Sequence, residues 1–60
     1  MENQPVPEML SLKQVARRLS VTSEMVRQEI LRGKMRAIRV GTRYRVLESD
    51  LNAYIDRSAV

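Results

Sequence analysis

Residues 22–45 read TSEMVRQEILRGKMRAIRVGTRYR, and this stretch decides how the rest of the chain is arranged. Thr22 is a favourable residue for a helix start, because its hydroxyl can accept a hydrogen bond from a backbone N–H of the first turn. Val26 and Ile30 then recur at helical spacing. Gly33 can end the helix in a left-handed conformation at little cost. The stretch therefore predicts a short helix that ends at this glycine.

The predicted helix has two unlike faces. Val26 and Ile30 form a narrow apolar seam, whereas the opposite face is mostly polar. So few apolar positions give a short helix little stability of its own, and we interpret the outer face as kept polar for a partner. This face comprises four residues, with Arg27 and Glu29 at its two sides: Glu24, Gln28, Leu31 and Arg32.

After the helix the pattern changes to a period of two, which is typical of half-buried strands. Its apolar members are Ile38, Val40, Tyr44 and Val46. Pairing Val40 with Arg43 across a two-residue turn would divide these residues between two faces, whereas pairing Val40 with Tyr44 unites them. The second pairing therefore predicts a hairpin with a three-residue loop and Arg43 at its tip. Arg39 and Arg45 would then face each other on the outer side, where an anion would relieve their repulsion.

The segment before this stretch carries the signals of another helix. Ser11 and Gln14 have the spacing of a capping box. Leu10 and Val15 have the spacing of a hydrophobic staple, so we predict that the helix begins at Leu12. A connection of about three residues joins it to the next helix, which is the spacing of a helix-turn-helix.

The segment after the hairpin predicts a third helix, because Glu48 and Asp50 suit a helix N-terminus electrostatically. Three apolar residues at helical spacing should cover the open side of the hairpin and of the first helix: Leu51, Tyr54 and Ile55. Met25 and Met35 are expected to fill gaps in the core.

The length of 60 residues allows one domain. Pro5 and Pro7 indicate an extended, disordered arm over residues 1–9. We expect a single domain over residues 10–57 and a frayed tail at residues 58–60. The element pattern predicts the α+β class.

The charges are segregated along the chain. The formal net charge is +4, yet residues 13–45 hold ten basic residues against Glu24 and Glu29, a net charge of +8. A block this basic indicates a polyanionic partner, either nucleic acid or an anionic membrane surface; the alternative is a solvated face without a partner. The apolar faces are needed for the core, so no amphipathic segment remains for a membrane.

Several function classes are excluded by composition. The chain has no His and no Cys, so it lacks the usual zinc or iron ligands, and we expect no metal and no cofactor. A catalytic base or thiol is also missing, and no pair of carboxylates shares a plausible pocket, so we expect neither an enzyme nor a small-molecule substrate. Without a membrane span, a signal peptide or cysteines, the chain is expected in the cytoplasm.

Residues 10–55 read LSLKQVARRLSVTSEMVRQEILRGKMRAIRVGTRYRVLESDLNAYI. This order of elements resembles the winged helix-turn-helix domain of phage and mobile-element excisionases and of the DNA-binding end of MerR-type regulators. The resemblance implies a small α+β fold with a helix, a turn, a recognition helix, a two-stranded β-hairpin wing and a C-terminal helix. Ser20 stands in the turn where many relatives have glycine, and Thr42 stands at a wing-tip position that is often basic.

The chain is too short for the dimerisation coil and effector domain of MerR-type regulators, which favours the excisionases, also called recombination directionality factors. Such proteins bind repeated attachment sites, often cooperatively and head to tail, bend the DNA and help a tyrosine or serine integrase to excise a viral genome. The resemblance thus implies a protein of the bacterial host cytoplasm, associated with the nucleoid. The alternative is a small transcriptional regulator or a protein-interaction module with the same fold.

The resemblance also implies that the second helix lies in the major groove while the wing reaches an adjacent backbone or minor groove. The candidate contacts on the recognition helix are Ser23, Glu24, Arg27, Gln28 and Arg32. The candidate contacts on the wing are Arg39, Thr42, Arg43 and Arg45. Weaker candidates for backbone contact are Arg17, Arg18, Lys34 and Arg36.

Three side chains of the recognition helix suit particular bases. Gln28 can bond an adenine in two places, Arg27 can bond guanine or phosphate, and Glu24 can accept from a cytosine amino group. The alternatives are an ion pair between Arg27 and Glu24 in solvent, and a Glu24 that serves only as a favourable charge near a helix N-terminus.

Overall fold

The computed structural model describes residues 9–58, which form three helices and a three-stranded antiparallel sheet of order β1-β3-β2. The elements are β1 (Met9–Ser11), α1 (Leu12–Leu19), α2 (Ser23–Leu31), β2 (Ile38–Val40), β3 (Arg43–Leu47) and α3 (Glu48–Ser58). This arrangement confirms the predicted α+β class and is consistent with a winged helix-turn-helix. None of the helices within residues 9–58 is long and apolar enough to cross a membrane.

The predicted starts of α1 and α2 are confirmed, and capping hydrogen bonds are present at both. The Gln14 N–H donates to the Ser11 hydroxyl at 3.2 Å, and the Ser11 N–H donates to the Gln14 side chain at 2.8 Å. At the second helix the Met25 N–H donates to the Thr22 hydroxyl at 3.1 Å. Both helices therefore begin where the sequence predicts.

The turn between the helices depends on Ser20, which adopts the left-handed conformation with φ 59° and ψ 43°. Its N–H donates to the carbonyls of Ala16 and Arg17, which closes α1. A side chain in this conformation costs about 1 kcal/mol or more relative to glycine. Gly33, with φ +78°, ends α2 as predicted.

The core draws on every layer of the fold. Seven buried residues form it: Leu10, Val15, Ala16, Val26, Met35, Val46 and Leu51. Two expectations were wrong, since Ile55 is 41% exposed and does not cover the sheet, and Met25 is 53% exposed and fills no gap. α3 reaches the core through Leu51, with Tyr54 packed at its margin.

β1 was not predicted as a strand. It pairs with β3 in the register Met9↔Leu47, Leu10↔Val46 and Ser11↔Arg45, so Met9 belongs to the sheet and not to the predicted arm. Its partner lies far along the sequence, and a strand this short shows no period of its own. The rest of that arm, residues 1–8, lies outside the described residues. Of the predicted tail 58–60, residue 58 ends α3 and residues 59–60 lie outside the description.

The predicted hairpin register was wrong. β2 and β3 pair as Ile38↔Arg45, Arg39↔Tyr44 and Val40↔Arg43, so the turn has two residues, and Arg43 begins β3 instead of forming the loop tip. A positive φ at the first of the two turn residues, here +64° at Gly41, is typical of two-residue hairpin turns.

This register places the arginines of the hairpin on different faces. Arg39 lies on the face of Tyr44, whereas Arg45 lies on the face of Ile38, so the predicted contact between Arg39 and Arg45 does not form. Ile38 and Val40 are 40% and 51% exposed. The prediction failed because it assumed a buried face at this end of the hairpin, and the structure has none there. The burial of Val46 opposite Leu10 fixes the register of β3 against β1.

Candidate nucleic-acid interface

α2 turns a polar face away from the core. Val26 is buried and anchors the helix, with α1 packed beside it. Four residues at spacings of i, i+3, i+4 and i+7 lie on the opposite side, and we call them the outer stripe: Glu24, Arg27, Gln28 and Leu31. All except Gln28, which is half-buried, are exposed. The outer face predicted from the sequence is therefore accessible.

The polar members of the outer stripe are bonded to one another. The Glu24 carboxylate accepts a hydrogen bond from Gln28 Nε2 at 3.0 Å and one from Arg27 Nη1 at 3.5 Å. The structure thus contains the ion pair that was the alternative to base contact. Exposed pairs of this kind are weak, so the same donors and acceptors remain able to exchange partners.

The flank of α2 beside α3 forms an open groove of about 390 Å³. Gln28 and Arg32 line it from α2, together with Met25. The apolar residues Val21 and Met35 line it as well. Gln28 therefore belongs to the outer stripe and also lines this groove.

α3 braces the C-terminal half of α2 through polar contacts. The Tyr54 hydroxyl donates to Glu29 Oε1 at 2.9 Å, and Glu29 also lies 3.9 Å from the Arg32 guanidinium. The hydrogen bond to the Glu29 carboxylate raises the pKa of Tyr54 above its ordinary value of 10.0. Arg57 Nη2 donates to the Lys34 carbonyl at 2.7 Å. Sequence reasoning missed this brace, since its partners are more than twenty residues apart and share no local motif.

The candidate residues of the wing are divided between its two faces and its turn. Arg39 lies over the Tyr44 ring, 5.9 Å from its centroid. Arg43 and Arg45 lie on the other face, and Arg45 donates to the Tyr44 carbonyl at 3.2 Å. Thr42 is exposed in the turn. The hairpin therefore offers cationic groups in two directions and not on one surface.

The weaker candidates differ in their surroundings. Arg18 forms an ion pair with Glu48 at 2.8 Å, which ties α1 to the start of α3. Arg17 and Arg36 are exposed, as are Lys34 and the recognition-helix candidate Ser23. Within residues 9–58 no group of His, Cys, Asp or Glu side chains could hold a metal ion.

Comparisons with known proteins place the chain by its sequence pattern. Neither the curated proteins nor the solved structures include a match. The family described as "Helix-turn-helix domain" matches residues 9–59, which is most of the chain, and this match supports sequence-specific binding of double-stranded DNA. The two capped helices and the short turn between them agree with that match. The chain belongs to the helix-turn-helix domain family.

Proposed function

We propose that this chain is an excisionase: it binds repeated sites in an attachment region cooperatively, bends the DNA and directs an integrase toward excision. The proposal builds on sequence-specific binding of double-stranded DNA, which the family supports. The observation that carries the DNA-binding part is the mostly polar outer stripe on the second helix of the helix-turn-helix, beside a hairpin that bears arginines.

α2 is the element proposed to read the sequence. Its outer stripe offers an amide and a guanidinium, Gln28 and Arg27, which can bond adenine and guanine in the major groove. Glu24 can release Gln28 and Arg27 when these side chains form hydrogen bonds with bases instead. It can also accept a hydrogen bond from a cytosine amino group itself. Each such contact provides about 1–3 kcal/mol of discrimination between bases.

Affinity is proposed to come mainly from phosphate contacts. The net charge of +8 over residues 13–45 supports this, because cations that neutralise phosphates release counterions from the duplex. Phosphate contacts fix the orientation of the protein but carry no sequence information. The proposed contributors outside the wing are Ser23, Arg32, Arg17, Arg18, Lys34 and Arg36.

The wing is proposed to hold the DNA beside the major groove. Arginines on both faces of a hairpin can reach phosphates on both sides of a groove, whereas a hairpin lying flat on one backbone could use only one face. Arg39 would serve one side, and Arg43 and Arg45 would serve the other, with Thr42 at the tip between them. This arrangement favours a wing that enters the minor groove.

The excisionase role itself is supported by the resemblance of residues 10–55 to phage and mobile-element excisionases. The proposed partners are attachment-site repeats, a tyrosine or serine integrase and further copies of the chain arranged head to tail. The proposed setting is the nucleoid of the bacterial host. The proposed DNA-binding domain covers residues 10–57, together with Met9, which pairs in β1.

The DNA-binding part can be tested with a pool of randomised duplexes. Duplexes that the protein retains are sequenced, and the affinity for the selected site is compared with that for a scrambled duplex by fluorescence anisotropy. We expect a shared sequence and at least 10³-fold tighter binding to it, as is usual for specific sites. Retention without a shared sequence would contradict reading by α2.

The excisionase part needs a recombination assay. A plasmid that carries the attachment sites is incubated with the integrase encoded nearest to this gene, with and without the protein, and excised circles are counted. We expect excision only when the protein is present, and a Gln28→Ala variant should support less of it. Unchanged excision without the protein, combined with specific DNA binding, would instead indicate a transcriptional regulator.

A further inference from the structure

Leu31 is an exposed apolar side chain on an otherwise polar face. It is the last residue of α2, and 54% of its surface is exposed. It follows Arg27 by four residues and Gln28 by three, so it continues the outer stripe toward the C-terminal end of the helix.

The core does not account for this leucine. Successive helical residues are about 100° apart, so Leu31 points roughly 140° away from the buried Val26. It is absent from the cluster of buried and partly buried residues that includes its neighbour Ile30. The helix thus presents a large apolar group to the surroundings and gives up the stability that its burial would provide.

The surroundings of Leu31 are basic. Arg27 lies one turn before it, and Arg32, Lys34 and Arg36 follow it along the chain, all exposed. An exposed apolar group with basic residues before and after it in the chain fits a polyanion that carries apolar groups between its charges. The major groove of DNA is such a surface, because the thymine methyl group projects into it between two rows of phosphates.

We propose that Leu31 determines specificity by packing against the methyl group of a thymine. This inference depends on the proposed function, since it requires α2 to lie in the major groove. Three helical residues span about 4.5 Å along the axis, which is between one and two base-pair steps of about 3.4 Å. The thymine therefore lies one or two base pairs from the base that Gln28 contacts.

The test removes the methyl group alone. Each thymine of the selected site is replaced in turn by deoxyuridine, which lacks only this methyl group, and the affinities are measured by anisotropy for three proteins. These are the unaltered chain, Leu31→Ala, and Met25→Ala as a matched control, because Met25 is an equally exposed residue of α2 (53%) that lies off the stripe. Thermal melting checks that both variants fold.

For the unaltered chain we expect about a fourfold loss of affinity at one thymine of each site, the effect of one buried methyl group. Leu31→Ala should bind the thymine and uracil duplexes equally, whereas Met25→Ala should keep the fourfold ratio. Three results would each overturn the inference while leaving specific binding intact. They are a thymine-to-uracil ratio that Leu31→Ala leaves unchanged, a ratio that Met25→Ala abolishes, and a site in which no thymine of the unaltered complex responds to loss of its methyl group. A failure of all duplexes to bind specifically would refute the proposed function, and the inference would fall with it.

Discussion

α2 and the hairpin face the same proposed partner with different chemistry. The outer stripe of α2 combines a carboxylate, an amide and a guanidinium that are already bonded to one another. Residues 38–45 of the hairpin carry three arginines and no acid. A set of donors and acceptors on one helix face can distinguish bases, whereas arginines that meet phosphates contribute affinity without sequence information. The proposed function therefore assigns selectivity to α2 and much of the affinity to the hairpin.

The two regions are also supported differently. α2 is anchored by the buried Val26 and braced by the bond between Glu29 and Tyr54. The hairpin tip has no such support, because Ile38 and Val40 remain exposed. A reading helix must hold its side chains in register with base edges, whereas a phosphate contact tolerates more displacement.

The largest expected effect concerns the cations. If roughly four to six phosphates are neutralised, affinity for any duplex should fall about 10²- to 10³-fold between about 50 and 200 mM salt. Anisotropy titrations at several salt concentrations measure this slope. A flat response would show that charge does not supply the affinity.

The same titrations can distinguish the two faces of the wing. Arg43→Ala and Arg39→Ala should each weaken binding to specific and scrambled duplexes alike, and each should reduce the magnitude of the salt slope by about 0.9. A change for only one of the two variants would show that the hairpin uses a single face and lies flat on the backbone.

The next effect concerns base reading by α2. Gln28→Ala should lower the affinity for the selected site by about 1–3 kcal/mol, since a bidentate contact to a base is lost. Binding to a scrambled duplex and the salt slope should remain unchanged, because Gln28 carries no charge. An equal loss on both duplexes would mean that α2 does not choose the sequence.

The sequence predicted the parts of the fold that local bonds determine. The Ser11 and Thr22 caps and the stop at Gly33 involve residues three to five apart, and each lies where its motif predicts. The outer face of α2 could be predicted as well, because the burial of Val26 fixes the orientation of the whole helix.

The parts that the sequence did not predict depend on distant partners. β1 is a strand only because β3 lies beside it, and the burial of Val46 opposite Leu10 fixes which face of β3 points to the core. The alternation of Ile38 and Val40 indicated a buried face that the fold does not provide there. This error matters for the interface, because it assigned Arg43 to the tip and Arg39 to the wrong face.

A smaller effect concerns the turn that sets α2 against α1. Ser20→Gly should raise the free energy of unfolding by about 1 kcal/mol, because glycine adopts the left-handed conformation without strain. Thermal melting should show a rise of roughly 4–8 °C for a domain of this size. The same change at Ser49, within α3, should instead destabilise by about 0.5 kcal/mol. Stabilisation at both positions would indicate a cause other than the strain at Ser20.

An effect of similar size concerns the brace behind α2. Tyr54→Phe removes the hydrogen bond to Glu29 and should lower the free energy of unfolding near neutral pH by about 1 kcal/mol.

The pKa of Tyr54 is raised by folding, so the bond stabilises the fold fully below pH 10 and its contribution is lost as the pH rises through the raised value. The difference between the unaltered chain and the variant in urea unfolding should therefore shrink above about pH 10. Tyr44→Phe is the control, because the Tyr44 hydroxyl forms no hydrogen bond with another described residue and the variant loses none. A Tyr54→Phe difference that persists at high pH would show that the hydroxyl acts by packing, and α2 would then owe its position to Val26 and the core alone.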